Sequence, residues 1–227
     1  MTNLPNQYEK QLSVEEIAEG VHRDFVGGLW DQMGVLQFGF LVGRGLRPQM
    51  RLLDLGCGCL RGGLHFIRYL EPGHYFGLDV NESLLTAGNH ELETAGLRDR
   101  IPRENLLANA GFEGWRFGVD FTFILAQSVF THLPPSWLRQ CLTELTRCVE
   151  PGGQFYLTYF GCPEDWPASL PRTYEPHGGT TYPDHDPFHY RVSDLHRCAE
   201  GLPWRMEALG DWGHPRGQHM AVYWRTA

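Results

Sequence analysis

The stretch Leu52-Leu53-Asp54-Leu55-Gly56-Cys57-Gly58 runs from an apolar strand through an acidic residue into a G-x-G turn. Glycines at 56 and 58 let the backbone approach a ligand, because no Cβ stands in the way. A second apolar run, Tyr75-Phe76-Gly77-Leu78-Asp79, closes on a carboxylate. That places Asp79 roughly twenty residues beyond the turn, the spacing at which an acidic side chain takes two ribose hydroxyls. Together the two features predict a nucleoside-containing ligand at the carboxyl ends of parallel strands. A dinucleotide calls for a third glycine, in G-x-G-x-x-G, and Arg61 stands at that position, with Gly62 one residue later. A nicotinamide dinucleotide is thereby disfavoured but stays open.

Histidine is the side chain best suited to proton transfer near neutral pH, and the chain has 11. His132, in Gln127-Ser128-Val129-Phe130-Thr131-His132, follows an apolar strand and is a candidate general base; capping of the next helix is the other reading. His185 and His189 lie in the long segment Tyr182-Pro183-Asp184-His185-Asp186-Pro187-Phe188-His189 and are alternative catalytic candidates. With Asp184 and Asp186 they also offer ligands suited to a divalent metal. Adjacent side chains of an extended strand point apart, so the expectation is no metal site. His214, Arg216, Gln218 and His219 form a turn-rich hairpin tip, where His214 and Arg216 are candidates for binding an acceptor and Arg216 suits a carboxylate or phosphate. Solvated loop residues are the alternative there. Trp30, Gln37 and Phe38 either close a pocket or pack against the core. Six cysteines, at 57, 59, 141, 148, 162 and 198, are unevenly spaced, and the Cys57-x-Cys59 pair lacks the second ligand pair of a zinc site, so free thiols are expected.

Elements must hold these residues in place. Ser13 and Glu16 form a capping box for a short helix with Val14, Ile17 and Ala18 on one face. Leu29 to Val42 has helical apolar spacing despite Gly34 and Gly39. Arg51 to Leu55 reads as a strand, Leu64 to Leu70 as a helix, Tyr75 to Val80 as a strand and Ser83 to Ala95 as a helix. Short strands follow at Asn105 to Leu107 and Phe121 to Ala126. Ser136 to Val149 is a strongly amphipathic helix, stopped by Pro151 and Gly152, before a strand at Gln154 to Phe160. This alternation predicts an α/β fold: a doubly wound, seven-stranded, mostly parallel sheet with helices on both faces. Trp204 to Leu209 and Met220 to Trp224 supply a C-terminal antiparallel hairpin, after a helix capped by Ser193.

One domain of 227 residues is expected, with a helical cap over 1–49, a ligand-binding core over 50–160, an ordered lid over 161–191, and a final helix and hairpin over 192–227. A net charge of −8 argues against affinity for nucleic acid, which needs clustered cations. No apolar run is long enough for a membrane span, and MTNLPNQYEK lacks a signal-peptide pattern, so a cytoplasmic protein is expected. Oligomeric state is silent in the sequence.

From Met50 to Phe160 these residues resemble the class I S-adenosylmethionine-dependent methyltransferases, particularly the bacterial group acting on small molecules and sugars. That family's acidic residue and G-x-G-x-G align with Asp54, Gly56 and Gly58, while Leu60 replaces the last glycine. Arg61-Gly62-Gly63 is similar to a recurrent variant of the loop, and Glu150-Pro151-Gly152-Gly153 to a late turn of the family. The resemblance implies S-adenosylmethionine as cofactor, held by Asp54, Gly56, the Cys57 backbone and Gly58. It places Asp79 on the ribose with Val80 beside it, Asn109 and Ala110 at the adenine, and Gln127 at the methionine moiety. Phe112 packs on the adenine or in the core. The turn after the fourth strand is not the Asp/Asn-Pro-Pro-aromatic of many amino-methylating enzymes, so a small organic or sugar hydroxyl is the expected acceptor. An NAD-dependent oxidoreductase and a catalytically inactive binding module of the same fold remain alternatives.

Overall fold

The computed structural model describes residues 10–167, 169–174 and 179–227. The first nine residues of the expected cap, and positions 168 and 175–178 of the expected lid, lie outside the described residues. By internal packing the chain divides into two compact units, with the boundary between Ala110 and Gly111.

The first unit opens with α1 (Val14–Ala18), where Ser13 and Glu16 make both bonds of the capping box. Only Ile17 of the expected apolar face is buried; Val14 and Ala18 face solvent, because five residues expose more of a helix than they cover. A further short helix, α2 (Val21–Phe25), precedes α3 (Trp30–Gly43). The strand β1 (Leu52–Leu55) is fully buried and leads through the glycine turn into α4 (Gly63–Tyr69). Then come β2 (Tyr75–Asp79), α5 (Glu82–Thr94) and β3 (Leu106–Ala108). β1 pairs with β2 in parallel from Leu52 opposite Tyr75, and β2 with β3 from Gly77 opposite Leu106. Buried strands with apolar side chains on both faces are the signature of a parallel sheet covered by helices.

The second unit contains β4 (Phe121–Ala126), α6 (Pro135–Leu145) and β5 (Val149–Gly161), the two strands running parallel. α6 stops at Leu145, four residues short of the expected Val149, and Val149 instead pairs with Phe121 as the first residue of β5. Three short strands follow: β6 (Arg172–Tyr174), antiparallel to β7 (Gly179–Thr181), and β8 (His189–Tyr190), which runs parallel to the end of β5. α7 (Val192–Ala199) is not capped by Ser193, which sits inside its first turn and donates its hydroxyl to Glu164 at 2.6 Å. The chain closes with β9 (Trp204–Asp211) antiparallel to β10 (His219–Arg225), which is in turn antiparallel to β5. The architecture is therefore α/β, mostly parallel with helices around the strands and a C-terminal antiparallel hairpin. β1 to β5, β9 and β10 are the seven strands expected, and β6 to β8 are added by the segment after β5. Among the described residues no helix is long and apolar enough to cross a membrane.

Candidate active site

In the first unit β1 carries Asp54 to its carboxyl end, where Tyr75 donates to Asp54 Oδ2 at 2.7 Å. Burial pushes the Asp54 carboxyl up to about 7, against the lowering effect of the tyrosine hydroxyl. The turn then passes Gly56 and Gly58 at φ 67° and 53°, in the left-handed region that glycine enters without steric cost. Gly56 and Cys57 both donate their N–H to the Leu78 carbonyl, at 2.7 and 3.1 Å, which seats the turn on β2. Leu60, where the resemblance calls for glycine, holds φ 67° all the same. Its side chain is fully buried and lies so close to Gly63 and Gly88 that a Cβ at either would approach it to 3.0 and 2.9 Å.

Asp79 is buried at the end of β2 and accepts from two backbone N–H groups, Gly58 on Oδ2 and Asn81 on Oδ1, each at 2.8 Å. One bond per oxygen fixes the plane of the carboxylate and leaves lone pairs on both atoms. Burial raises its pKa against those bonds, which lower it. Val80, next in the chain, is 55% exposed, an apolar surface directly beside that carboxylate. Asn109 donates its N–H to the Asp79 carbonyl at 2.8 Å, which brings the end of β3 to the same place, with Ala110 exposed after it.

The N-terminal segment is tied to these turns. Arg61 Nη1 donates to the carbonyls of Val26 and Gly28 at 2.9 and 2.8 Å, Asn81 Nδ2 to Lys10 at 2.8 Å, and Leu12 N–H to Ser83 Oγ at 2.9 Å. Beneath it Glu91, buried on α5, accepts from Arg23 at 2.7 and 2.8 Å and shares a 2.7 Å hydrogen bond with His22. Trp30 and Phe38 are partly buried, Trp30 edge-on to His22 and Phe38 against His65, Phe66 and Tyr69; Gln37 is buried against Gly62.

In the second unit the polar residues gather at the carboxyl ends of β4 and β5. Gln127, 8% exposed, donates from Nε2 to Ser128 Oγ at 2.9 Å and to Gln218 Oε1 at 3.4 Å. Ser128, at φ 57°, donates Oγ to Gln218 Oε1 at 3.0 Å and its N–H to Thr158 at 2.7 Å. His132 shares a 2.6 Å hydrogen bond between Nδ1 and Asp186 Oδ1, with both side chains partly exposed. His185 is mostly exposed, stacks on Tyr182 at 3.8 Å and bonds Asp184. His189 Nδ1 meets Thr181 Oγ1 at 2.9 Å, and burial pushes its pKa down. His214 is buried and accepts the Arg216 N–H on Nδ1 at 3.0 Å, a bond that shapes the hairpin tip and leaves the Arg216 side chain exposed. Phe112 stacks on Phe130 at 6.0 Å and meets Trp137 edge-on.

Asp184 and His185 thus pair with each other, while Asp186 turns to His132 and His189 to Thr181. Among the described residues no group of three or more His, Cys, Asp or Glu side chains is arranged to hold a metal ion, and all six cysteines are free thiols. The structure brings Asp54, Gly56, Gly58, Asp79 and Asn109, the residues singled out by spacing and resemblance, together within the first unit. Sequence spacing missed Asn81 and Asp186 as partners of Asp79 and His132. Asn81 carried a signal, since an Asn before a helical run is a cap, and it does cap α5 through Ser83 and Leu84.

Residues 52–153 match the family model of the methyltransferase domain. The CcbJ methyltransferase from Streptomyces caelestis superimposes with a TM-score of 0.70 at 16% identity, over 98% of this chain and 99% of that one. Magnesium protoporphyrin IX methyltransferase from Synechocystis PCC 6803, with bound SAM, gives 0.61 at 11% over 96% and 88%. A S-adenosylmethionine-dependent methyltransferase from Clostridium acetobutylicum ATCC 824 gives 0.65 at 9% over 95% and 100%. Residues 52–153 thus carry a methyltransferase-domain match, and the chain shares the fold of S-adenosylmethionine-dependent methyltransferases. In this chain the residues present fit a nucleoside donor on their own geometry: a glycine turn without Cβ atoms, a carboxylate held flat by two backbone donors, and an exposed valine beside it.

Proposed function

We propose that this chain is an S-adenosylmethionine-dependent methyltransferase that acts on a hydroxyl of a small organic or sugar acceptor. The observation that carries the oxygen reading is the His132–Asp186 pair. A hydroxyl must give up its proton as the new bond forms, and imidazole is suited to take it near neutral pH. Asp186 on Nδ1 orients the ring and stabilises the imidazolium, so proton uptake is assigned to Nε2. His185 and His189 are the weaker candidates, because one is held in an exposed stack and the other is engaged with Thr181.

The donor, when bound, supplies a methyl group on a sulfonium, a displacement that needs alignment and exclusion of water but no enzyme nucleophile. Asp79 is proposed to take the two ribose hydroxyls. Gly56, Cys57 and Gly58 present backbone to the ligand, with Asp54 beneath them. Val80, Asn109 and Ala110 border the adenine, and Gln127 borders the methionine moiety. His214 and Arg216 belong to the acceptor side, where the exposed guanidinium of Arg216 suits an anionic group. The SAM bound to magnesium protoporphyrin IX methyltransferase supports the donor assignment, and that enzyme's named substrate supports a small-molecule acceptor. A single methyltransferase domain, with the segment after β5 as a wall over the acceptor, is part of the same proposal.

Calorimetric titration with S-adenosylhomocysteine tests the donor assignment, with Asp79→Ala and NAD as controls. Wild type is expected to bind the homologue, and Asp79→Ala to lose on the order of a hundredfold in affinity, the cost of two hydrogen bonds to a charged group. Binding of NAD in its place would move the protein to the oxidoreductases, and binding of neither would make it an inert module of the fold.

A further inference from the structure

Three residues at the carboxyl ends of β4 and β5 form a closed polar ring. Gln127 Nε2 donates to Ser128 Oγ at 2.9 Å, Ser128 Oγ donates to Gln218 Oε1 at 3.0 Å, and Gln127 Nε2 reaches the same Gln218 oxygen at 3.4 Å. Gln127 and Gln218 are more than nine-tenths buried. A serine hydroxyl carries one proton, so the Ser128 oxygen that donates to Gln218 must accept from its other neighbour. With Gln218 presenting its Oε1 to the ring, Nε2 of Gln127 is consumed there and Oε1 is turned the other way. Among the described residues that oxygen is buried and accepts no hydrogen bond. A buried acceptor with no donor costs about 1–3 kcal/mol, so an amide held in this orientation is one built to receive a donor from a ligand.

We propose that Gln218 is a positioning residue that acts through Gln127, locking its amide so that Oε1 accepts from the α-ammonium group of the methionine half of the donor. This rests on the assignment of Gln127 to the methionine moiety. The chemistry matches: an ammonium offers three donors and no acceptor, so it reads the carbonyl end of an amide and rejects the NH2 end. Ser128 holds the ring rigid, since its own backbone, at φ 57°, is pinned by the bond from its N–H to Thr158.

The test compares two ligands that differ in the group at issue. S-adenosylhomocysteine carries the amino-acid half and 5′-methylthioadenosine lacks it. Affinities are measured by calorimetry for wild type, Gln218→Leu and Gln218→Glu, with thermal melting to verify folding. Gln218→Leu, which has no acceptor to hold Gln127, is expected to lose about tenfold in affinity for S-adenosylhomocysteine, one charge-assisted hydrogen bond. Its affinity for methylthioadenosine should be unchanged. Gln218→Glu keeps an acceptor in the same place and should restore the wild-type preference for the amino-acid-bearing ligand. An equal loss for both ligands, or no loss for either, overturns the role of Gln218. Wild type that binds neither ligand overturns the donor assignment itself, a result distinct from the other two.

Discussion

His132 and Asp186 stand 54 residues apart in the chain and share one short hydrogen bond. If that pair is the base, His132→Gln should lower kcat by about a hundredfold or more at neutral pH, the usual contribution of a positioned general base, with donor affinity unchanged. Asp186→Asn, which keeps the shape and removes the charge, should cost less, on the order of tenfold. Single-turnover assays on an accepted hydroxyl substrate decide it; equal activity in all three proteins would remove His132 from the chemistry. The pair was not legible in the sequence because its two members lie in segments brought together only by the return of the chain along β5 and β8. Asp54, the glycines and Asp79 were legible for the opposite reason: their spacing is set by one strand, one turn and one helix that follow directly along the chain.

Among the elements, the turn between β1 and α4 shows how an expected pattern and its replacement give the same backbone. A leucine at φ 67° pays roughly 1–2 kcal/mol in steric strain, which its burial against Gly63 and Gly88 offsets. Leu60→Ala keeps the strain and removes the packing, so urea unfolding should show a loss of about 2–5 kcal/mol. Leu60→Gly removes the same packing but relieves the strain, and should be more stable than the alanine variant by about 1 kcal/mol. The reverse order would mean that Leu60 is not strained. Element types were read well from periodicity, and their ends less well. Val149 fits the helical spacing of α6, yet it pairs with Phe121, where a register shift lets β5 pass through Pro151 and Gly152. Ser193 looked like a cap, but Arg191 N–H bonds the Asp194 carboxylate and Glu164 takes the serine, a partner 29 residues away that no local pattern reveals.

Across the whole molecule buried acids pull stability in opposite directions with pH, Asp54 and Asp79 one way and Glu91 the other. Asp54 sits at about 7 when folded, against 3.8 when exposed, so between those values the folded chain keeps a proton that the unfolded chain has lost. Stability contributed by that proton is present at low pH and declines as pH rises toward 7, by at most on the order of 4 kcal/mol. Burial raises the Glu91 carboxyl too, but hydrogen bonds from Arg23 and His22 outweigh it and leave it below its ordinary 4.5. Its contribution is present above 4.5 and is lost as pH falls through the lower folded value. The ligand-free protein should therefore be most stable in mildly acidic solution. Urea titrations across the pH range should show Asp54→Asn flattening the neutral limb and Glu91→Gln the acid limb; a wild-type curve that climbs steadily to pH 7 would contradict the assignment for Asp54.

All six cysteines are buried, and burial raises every thiol: Cys59 and Cys148 to about 12, Cys198 to about 11, with Cys57, Cys141 and Cys162 also pushed up. Thiolate is the form that alkylating agents and peroxides attack, so the native chain presents almost none of it. Chemical damage must then wait for the chain to open, which makes the rate of sulfur modification a clock for opening. Two of the sulfurs time the first unit, from the turn between β1 and α4, and the other four time the second.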